Sequence, residues 1–203
     1  VSASKEYAVI SCLHTADVHV ATFGALLPDA QHVVRADFLD RARAHGVVSV
    51  ADEVTALLCK LAQSGHVLCT CSTLGPLVDV IGNDKIVRID RPAMVAAVAQ
   101  GGEVVVAIFL DSTREATLAL FDDVAAGRAI AKLVLCDAAW PFFEAGDMDG
   151  YARSIVASVA GQGSRVLLAQ ASMAVAAPLL AAQGITVFTT PVAAARAVAA
   201  LDA

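Results

Sequence analysis

A chain of 203 residues can bury a full hydrophobic core, as one α/β domain or as two smaller ones. Its net charge of −6 and pI near 5.2 supply no basic stripe to neutralise phosphates, which argues against nucleic acid as a partner. Hydrophobic residues reach 58% and mean hydropathy +0.69, but the long apolar runs at 104–110 and 173–182 fall short of the ~18–20 residues of a spanning helix, so no membrane is expected.

Residues 7–13 are a β-rich run that predicts the first strand. His14-Thr15-Ala16-Asp17 then reads as strand end, turn and cap for a helix over 18–27, which Pro28 ends. A short strand is predicted at 31–35, and residues 36–44 are polar and irregular, with room for one helical turn. Ser49 starts a helix to about Gln63, with Val54, Leu57, Leu58 and Leu61 at helical spacing. Strand 67–70 runs into Cys71-Ser72-Thr73, and a helix over 74–81 stops at Gly82-Asn83. A strand at 86–89 precedes a helix with Pro92 in its first turn, which ends at Gly101-Gly102. Strand 104–110 is the most apolar, and Asp111-Ser112-Thr113 caps a helix over 115–126. Strand 132–136 leads to a loop over 141–150, then helix 149–160, strand 165–169, helix 172–182 and strand 185–188. Thr189-Thr190-Pro191 caps a final Ala-rich helix to Leu201.

This alternation predicts a parallel, doubly wound sheet or sheets, a fold that binds ligands beyond the carboxyl ends of its strands. Those ends carry His14-Thr15, Cys71-Ser72-Thr73, Ser112-Thr113, Gln170 with Ser172, and Thr189-Thr190. Hydroxyls, a thiol and an amide suit a small carboxylate held by hydroxyls and helix N-termini. Cys71 enters a helix N-terminus, where exposed N–H groups favour a lowered thiol pKa and a catalytic role. Cys12, Cys59, Cys69 and Cys136 read as packing residues; the five cysteines are odd in number, lack zinc-ribbon spacing and suit reduced thiols. His19, His32, His45 and His66 show no ligand spacing, so no metal is expected, and no G-x-G-x-x-G or P-loop follows a strand. Residues 1–7 lack an apolar core of the signal-peptide type, so a cytoplasmic location is expected. Arg91 reads as a solvated residue at a helix start. Trp140-Pro141-Phe142-Phe143 reads as a cleft lining, a lid, a dimer patch or a satellite apolar cluster.

An internal repeat sharpens the site. VLCTCSTLGPL from Val67 and VLLAQASMAVA from Val166 align without gaps at an offset of 99 (166 − 67), which sets Gln170 against Cys71 and Ser172 against Thr73. His14-Thr15 and Asp111-Ser112 match at an offset of 97 (111 − 14), as expected for two related α/β halves.

His14-Thr15, Cys71-Ser72-Thr73-Leu74-Gly75, Arg88-Ile89-Asp90-Arg91-Pro92, Ser112-Thr113 and Leu168-Ala169-Gln170-Ala171-Ser172-Met173-Ala174 together resemble the aspartate/glutamate/hydantoin racemase superfamily, in particular its short members. The resemblance spans nearly the whole chain. It implies two flavodoxin-like, doubly wound halves with parallel sheets related by a pseudo-twofold and an active site in the cleft between them. The first half is expected over 1–91, with a C-terminal helix about 191–203 packing back on it, and the second over 92–190. It further implies cofactor-independent chemistry in which one cysteine removes an α-proton and another reprotonates the opposite face. Cys71 matches one of these, but Gln170 stands where the second is expected, and an amide neither gives up nor takes a proton near neutral pH and can only hydrogen-bond. The expected function is a racemase-like isomerase acting on a small carboxylate through Cys71, with His14, Thr15, Ser72, Thr73, Ser112, Thr113, Gln170 and Ser172 as substrate contacts. A single-cysteine decarboxylase, a cis–trans isomerase or a non-catalytic carboxylate binder are the alternatives, and Cys136, Cys12 and His14 are the candidates to replace the missing second thiol. No cofactor is implied, and a homo-oligomer stays open.

Overall fold

Short apolar strands joined by helical connections pair in parallel, because a parallel neighbour needs a crossover long enough to hold a helix. The structure, a computed structural model, describes residues 9–202. One sheet has the order β2-β1-β3-β4, from β1 (Val9–His14), β2 (Gln31–Val34), β3 (Gly65–Cys69) and β4 (Ile86–Arg88). The other has the order β6-β5-β7-β8, from β5 (Gly102–Ile108), β6 (Ala129–Leu135), β7 (Arg165–Leu168) and β8 (Thr186–Thr189). All six strand pairs are parallel, so both sheets have the same doubly wound topology. The chain divides into two compact units, one running through Arg88 and regaining the chain from Ala194, the other Ile89–Ala193.

In the first unit, α1 (Val18–Leu26) follows β1, while α2 (Ala36–His45), α3 (Ala51–Ala62) and α4 (Gly75–Ile81) complete the crossovers. Leu13, Val67 and Cys69 bury one sheet face against Phe38 and Ala42 of α2, Val54 and Leu58 of α3, and Val78 of α4. In the second unit, α5 (Arg91–Val98) and α6 (Arg114–Ala125) cover one face, and α8 (Met148–Val159) and α9 (Ala177–Ala181) the other. The alternation of β5 makes both layers: Val104, Val106 and Ile108 meet Met94 and Phe121, while Val105 and Ala107 meet Tyr151 and Ile155. Each fully buried Leu, Ile or Phe in these layers stabilises the fold by about 1.5–3 kcal/mol. The helix α10 (Thr190–Ala199) holds the boundary between the units. No helix among the described residues is long and apolar enough to cross a membrane.

The element order follows the sequence expectations, with residues 7 and 8 of the first strand lying outside the described residues. Three expectations need correction. The segment expected to be irregular is the ten-residue helix α2, because Phe38 and Ala42, four apart, bury one stripe while Arg35 covers the Phe38 ring at 3.7 Å. The loop expected after Trp140 contains a short helix, α7 (Trp140–Glu144), entered with Pro141 in its first turn. Backbone pairing also revises one half of the repeat. Cys69 pairs with Leu13 and Leu168 with Ala107, so β3 and β7 differ by 99 (168 − 69) but β1 and β5 by 94 (107 − 13). His14 and Thr15 therefore correspond to Ile108 and Phe109, and the match to Asp111-Ser112 was three residues out of register (97 − 94).

Gly65 is where β3 passes closest to β1: a Cβ there would lie 2.1 Å from the Val9 carbonyl oxygen and 2.6 Å from its nitrogen. Gly24, on α1, has only the His32 ring at 3.8 Å. Gly65→Ala is expected to destabilise the protein by about 1–3 kcal/mol or more in urea unfolding, because backbone must move. Gly24→Ala is expected to be neutral or to stabilise by about 0.5–1 kcal/mol through helix propensity.

Candidate active site

β1 and β3 are neighbours whose following helices leave on opposite faces. Phe23 of α1 lies against the His14 ring at 5.7 Å, whereas Leu74 and Val78 pack with Leu13, whose side chain is on the other face. The carboxyl ends of the two strands are thus a topological switch point, the place where α/β sheets open to ligands. The main chain closes the pair one step further: Thr70 N–H donates to the Leu13 carbonyl at 3.0 Å.

Cys71 follows in extended conformation, and a 3₁₀ turn at Ser72–Leu74 carries the chain into α4. The hydroxyls of Thr15 and Thr73 and the backbone N–H groups of Thr73 and Leu74 all act on its sulfur and favour the thiolate. The lowered pKa expected from the sequence is nevertheless not what results. Cys71 is only 7% exposed, and its burial raises the thiol pKa by more than the four donors lower it. The resting group is a protonated thiol surrounded by donors ready for its anion. Cys69 packs in the same core, its sulfur 4.0 Å from the Cys71 carbonyl oxygen. Ser72 and Thr73 are half-buried beside it. Gly75 is fixed by crowding, since a Cβ there would meet the buried Arg88 guanidinium at 2.5 Å, and Arg88 is ion-paired with Asp79.

The second sheet repeats this geometry with different chemistry. Gln170 is extended like Cys71 and leads into the 3₁₀ turn Ala171–Ala176. Its side-chain oxygen accepts the backbone N–H groups of Phe109 and of Leu110, the latter at 3.0 Å. Phe109 corresponds to Thr15, so in both sheets the residue after the first strand supplies a donor to the residue at position 71 or 170. Ser172 and the buried Tyr151 hydroxyl are hydrogen-bonded at 3.0 Å, Thr113 donates to the Leu110 carbonyl at 2.8 Å, and Ser112 is exposed. Thr190 is fully buried, and its hydroxyl has no hydrogen-bond partner among the described residues. The Trp140 segment is an apolar cluster on the core: Phe109 lies 5.3 Å from Trp140 and 5.1 Å from both Phe143 and Tyr151, ring centre to ring centre. Arg91, expected to be solvated, has a well-exposed side chain that also pairs with Asp123 at 2.8 Å.

His14 is fully buried, with Nδ1 2.8 Å from the Thr70 hydroxyl and Nε2 2.8 Å from Nδ1 of His32. Burial, then the neighbouring His32 and His19, lowers its pKa to about 4. Cys12 lies close by, and burial pushes its thiol up to about 12. The sequence expectation considered ligand spacing along the chain and so missed this group, which forms across two strands. The one available signal was the alternation Cys12-Leu13-His14, which puts both polar side chains on one face; the partner strand was needed to add His32.

No family model matches the chain, and no curated protein sequence does. Solved structures do. Aspartate racemase from Picrophilus torridus superposes with a TM-score of 0.67 at 15% identity, covering 96% of this chain and 93% of that one. Glutamate racemase RacE1 from Bacillus anthracis gives 0.69 at 12% identity, with 96% and 81% covered. Arylmalonate decarboxylase gives 0.55 at 14% identity, with 96% and 92% covered. Two four-stranded parallel sheets of identical order, matched along nearly the whole chain, show that the protein shares its fold with these aspartate and glutamate racemases and with arylmalonate decarboxylase.

Proposed function

We propose that this protein is a cofactor-independent enzyme acting at the carbon next to the carboxylate of a small acid, with Cys71 delivering the proton to that carbon. The observation that carries this reading is the convergence of Thr15, Thr73 and two backbone N–H groups on one buried thiol at the switch point of its sheet. A thiol held protonated at neutral pH acts first as an acid. In a decarboxylation, the bond from the α-carbon to one carboxylate breaks and CO₂ leaves. The electron pair remains as an enediolate with the other carboxylate. Cys71 then gives its proton to carbon, the surrounding donors hold the thiolate left behind, and water restores the proton.

Symmetric racemisation needs a second proton carrier, and the repeat-equivalent position holds Gln170, whose amide transfers none near neutral pH. This favours one-sided protonation, and the likeness to arylmalonate decarboxylase supports it. A racemase-like isomerase, with another group supplying the second transfer, is the second reading; the higher TM-scores of the two racemases, 0.67 and 0.69 against 0.55, favour it. All five cysteines are free thiols, which suits a reducing cytoplasmic setting.

Incubating malonate-type acids, amino acids and hydantoins with the protein in D₂O and reading NMR separates the two. The first reading gives α-deuteration with loss of a carboxylate; the second gives α-deuteration without it. Cys71→Ala is expected to lower turnover by at least ~10²-fold, and unchanged turnover would remove Cys71 from the mechanism.

The pH dependence has a definite sign. Because burial raises the Cys71 pKa above the ordinary 9.0, the acid form persists through neutrality. Turnover is expected to hold until alkaline pH and to fall as pH rises through the raised value, while iodoacetamide labelling of Cys71, read by peptide mapping, rises over the same range. Labelling that saturates below about pH 8 would contradict the protonated resting state.

A further inference from the structure

Cys12 and His14 are two residues apart on β1 and so project from the same face. In the parallel register of β1 and β2, Cys12 lies beside His32, which adds a second imidazole to that face. The three side chains offer one ligand atom each, all within 4.8 Å of one another, and no other group of at least three His, Cys, Asp or Glu among the described residues meets that condition. Cys12 and His14 are fully buried and His32 is half-buried.

The hydrogen bonds set the direction of the lone pairs. The Thr70 hydroxyl donates to the Leu13 carbonyl at 3.0 Å, so it accepts from Nδ1–H of His14 at 2.8 Å. His14 is then the Nδ1–H tautomer, and its bare Nε2 points at His32, whose Nδ1–H donates to it at 2.8 Å. A ring nitrogen held bare by a hydrogen bond at the opposite nitrogen is the arrangement that metal-ligating histidines use.

We propose that Cys12, His14 and His32 form a binding site for a divalent ion of the zinc class, which takes the place of the proton between the two imidazoles. Two imidazoles and a thiolate are a donor set that such ions prefer, with a fourth position for solvent. An ion ~2.0 Å from each nitrogen in tetrahedral geometry sets them about 3.3 Å apart, so His32, on an edge strand, needs to move by only a few tenths of an ångström. His32 shifts its own proton from Nδ1 to Nε2, and Cys12 releases its thiol proton to solvent as the sulfur–metal bond forms. The cation also offsets the desolvation that otherwise keeps Cys12 protonated. The site lies on the face covered by α1, whereas Cys71 belongs to the core on the other face, so metal binding and turnover can be read independently.

The test is a Co²⁺ titration of chelator-treated protein, followed by absorption, with Zn²⁺ as competitor. One cobalt per chain is expected, with a thiolate-to-cobalt charge-transfer band and tetrahedral visible bands that Zn²⁺ abolishes. Cys12→Ser is expected to remove the charge-transfer band. His32→Gln, which alters only a half-buried side chain, is expected to weaken Co²⁺ binding at least ~10-fold with an unchanged circular dichroism spectrum. Cys71→Ala is expected to leave the bands intact. Absence of the band from the wild-type protein, its survival in Cys12→Ser, its loss in Cys71→Ala, or undiminished affinity in His32→Gln would each overturn the proposal.

Discussion

The carbonyl of Leu13 is the point on which the first sheet turns. It accepts both the backbone N–H and the hydroxyl of Thr70, each at 3.0 Å, and so joins β1 to β3 just where the two strands part. Beyond that join, β3 delivers Cys71 and β1 delivers Thr15, and the hydroxyl of one meets the sulfur of the other. Behind it, the engaged Thr70 hydroxyl fixes which nitrogen of His14 keeps its proton. A single doubly used acceptor thus orders side chains on both faces of the sheet. The second sheet has the same join in simpler form, with Ala169 N–H donating to the Ala107 carbonyl at 3.0 Å.

Repetition of the backbone makes the divergence of side chains informative. Positions 71 and 170 share an extended conformation, a following 3₁₀ turn and a donor from the residue after the neighbouring strand. One carries a thiol that donors can turn into a stabilised anion. The other carries an amide whose oxygen is already held by two backbone N–H groups. The same frame therefore presents a buried thiol among donors in one sheet and a hydrogen-bonded closure of a strand end in the other. That asymmetry, rather than the fold, is the feature on which the proposed one-sided protonation rests.

Desolvation is the dominant electrostatic influence at the buried thiols and at His14. It raises the thiols of Cys12, Cys71 and Cys136 and lowers His14, in each case favouring the neutral form. Hydrogen-bond donors at Cys71 act against it without overcoming it. A buried neutral site of this kind gains charge only when a substrate, a reaction step or a cation compensates for the lost water.

Much of this was legible in the chain itself. Apolar strands ending in His14-Thr15, Cys71-Ser72-Thr73 and Gln170-Ala171-Ser172, separated by helix-length segments, specify parallel pairing and put polar groups at the strand ends, because local periodicity and turn chemistry act over a few residues. The 99-residue repeat likewise identified Gln170 as the counterpart of Cys71. Register and burial were not legible, since both depend on residues distant in sequence. Pairing of Leu13 with Cys69 and of Ala107 with Leu168 replaced the apparent match of His14 to Asp111 by Ile108. Pairing of β1 with β2 brought His32 to Cys12 and His14. Packing of Phe38 and Ala42 made a helix of a segment too polar to announce one. Enclosure of Cys71 among Leu13, Cys69 and Leu74 reversed the direction of its pKa. The sequence by itself determined which residues stand at the strand ends; only the tertiary structure decided how much water each of them keeps, because that depends on every element packed around it.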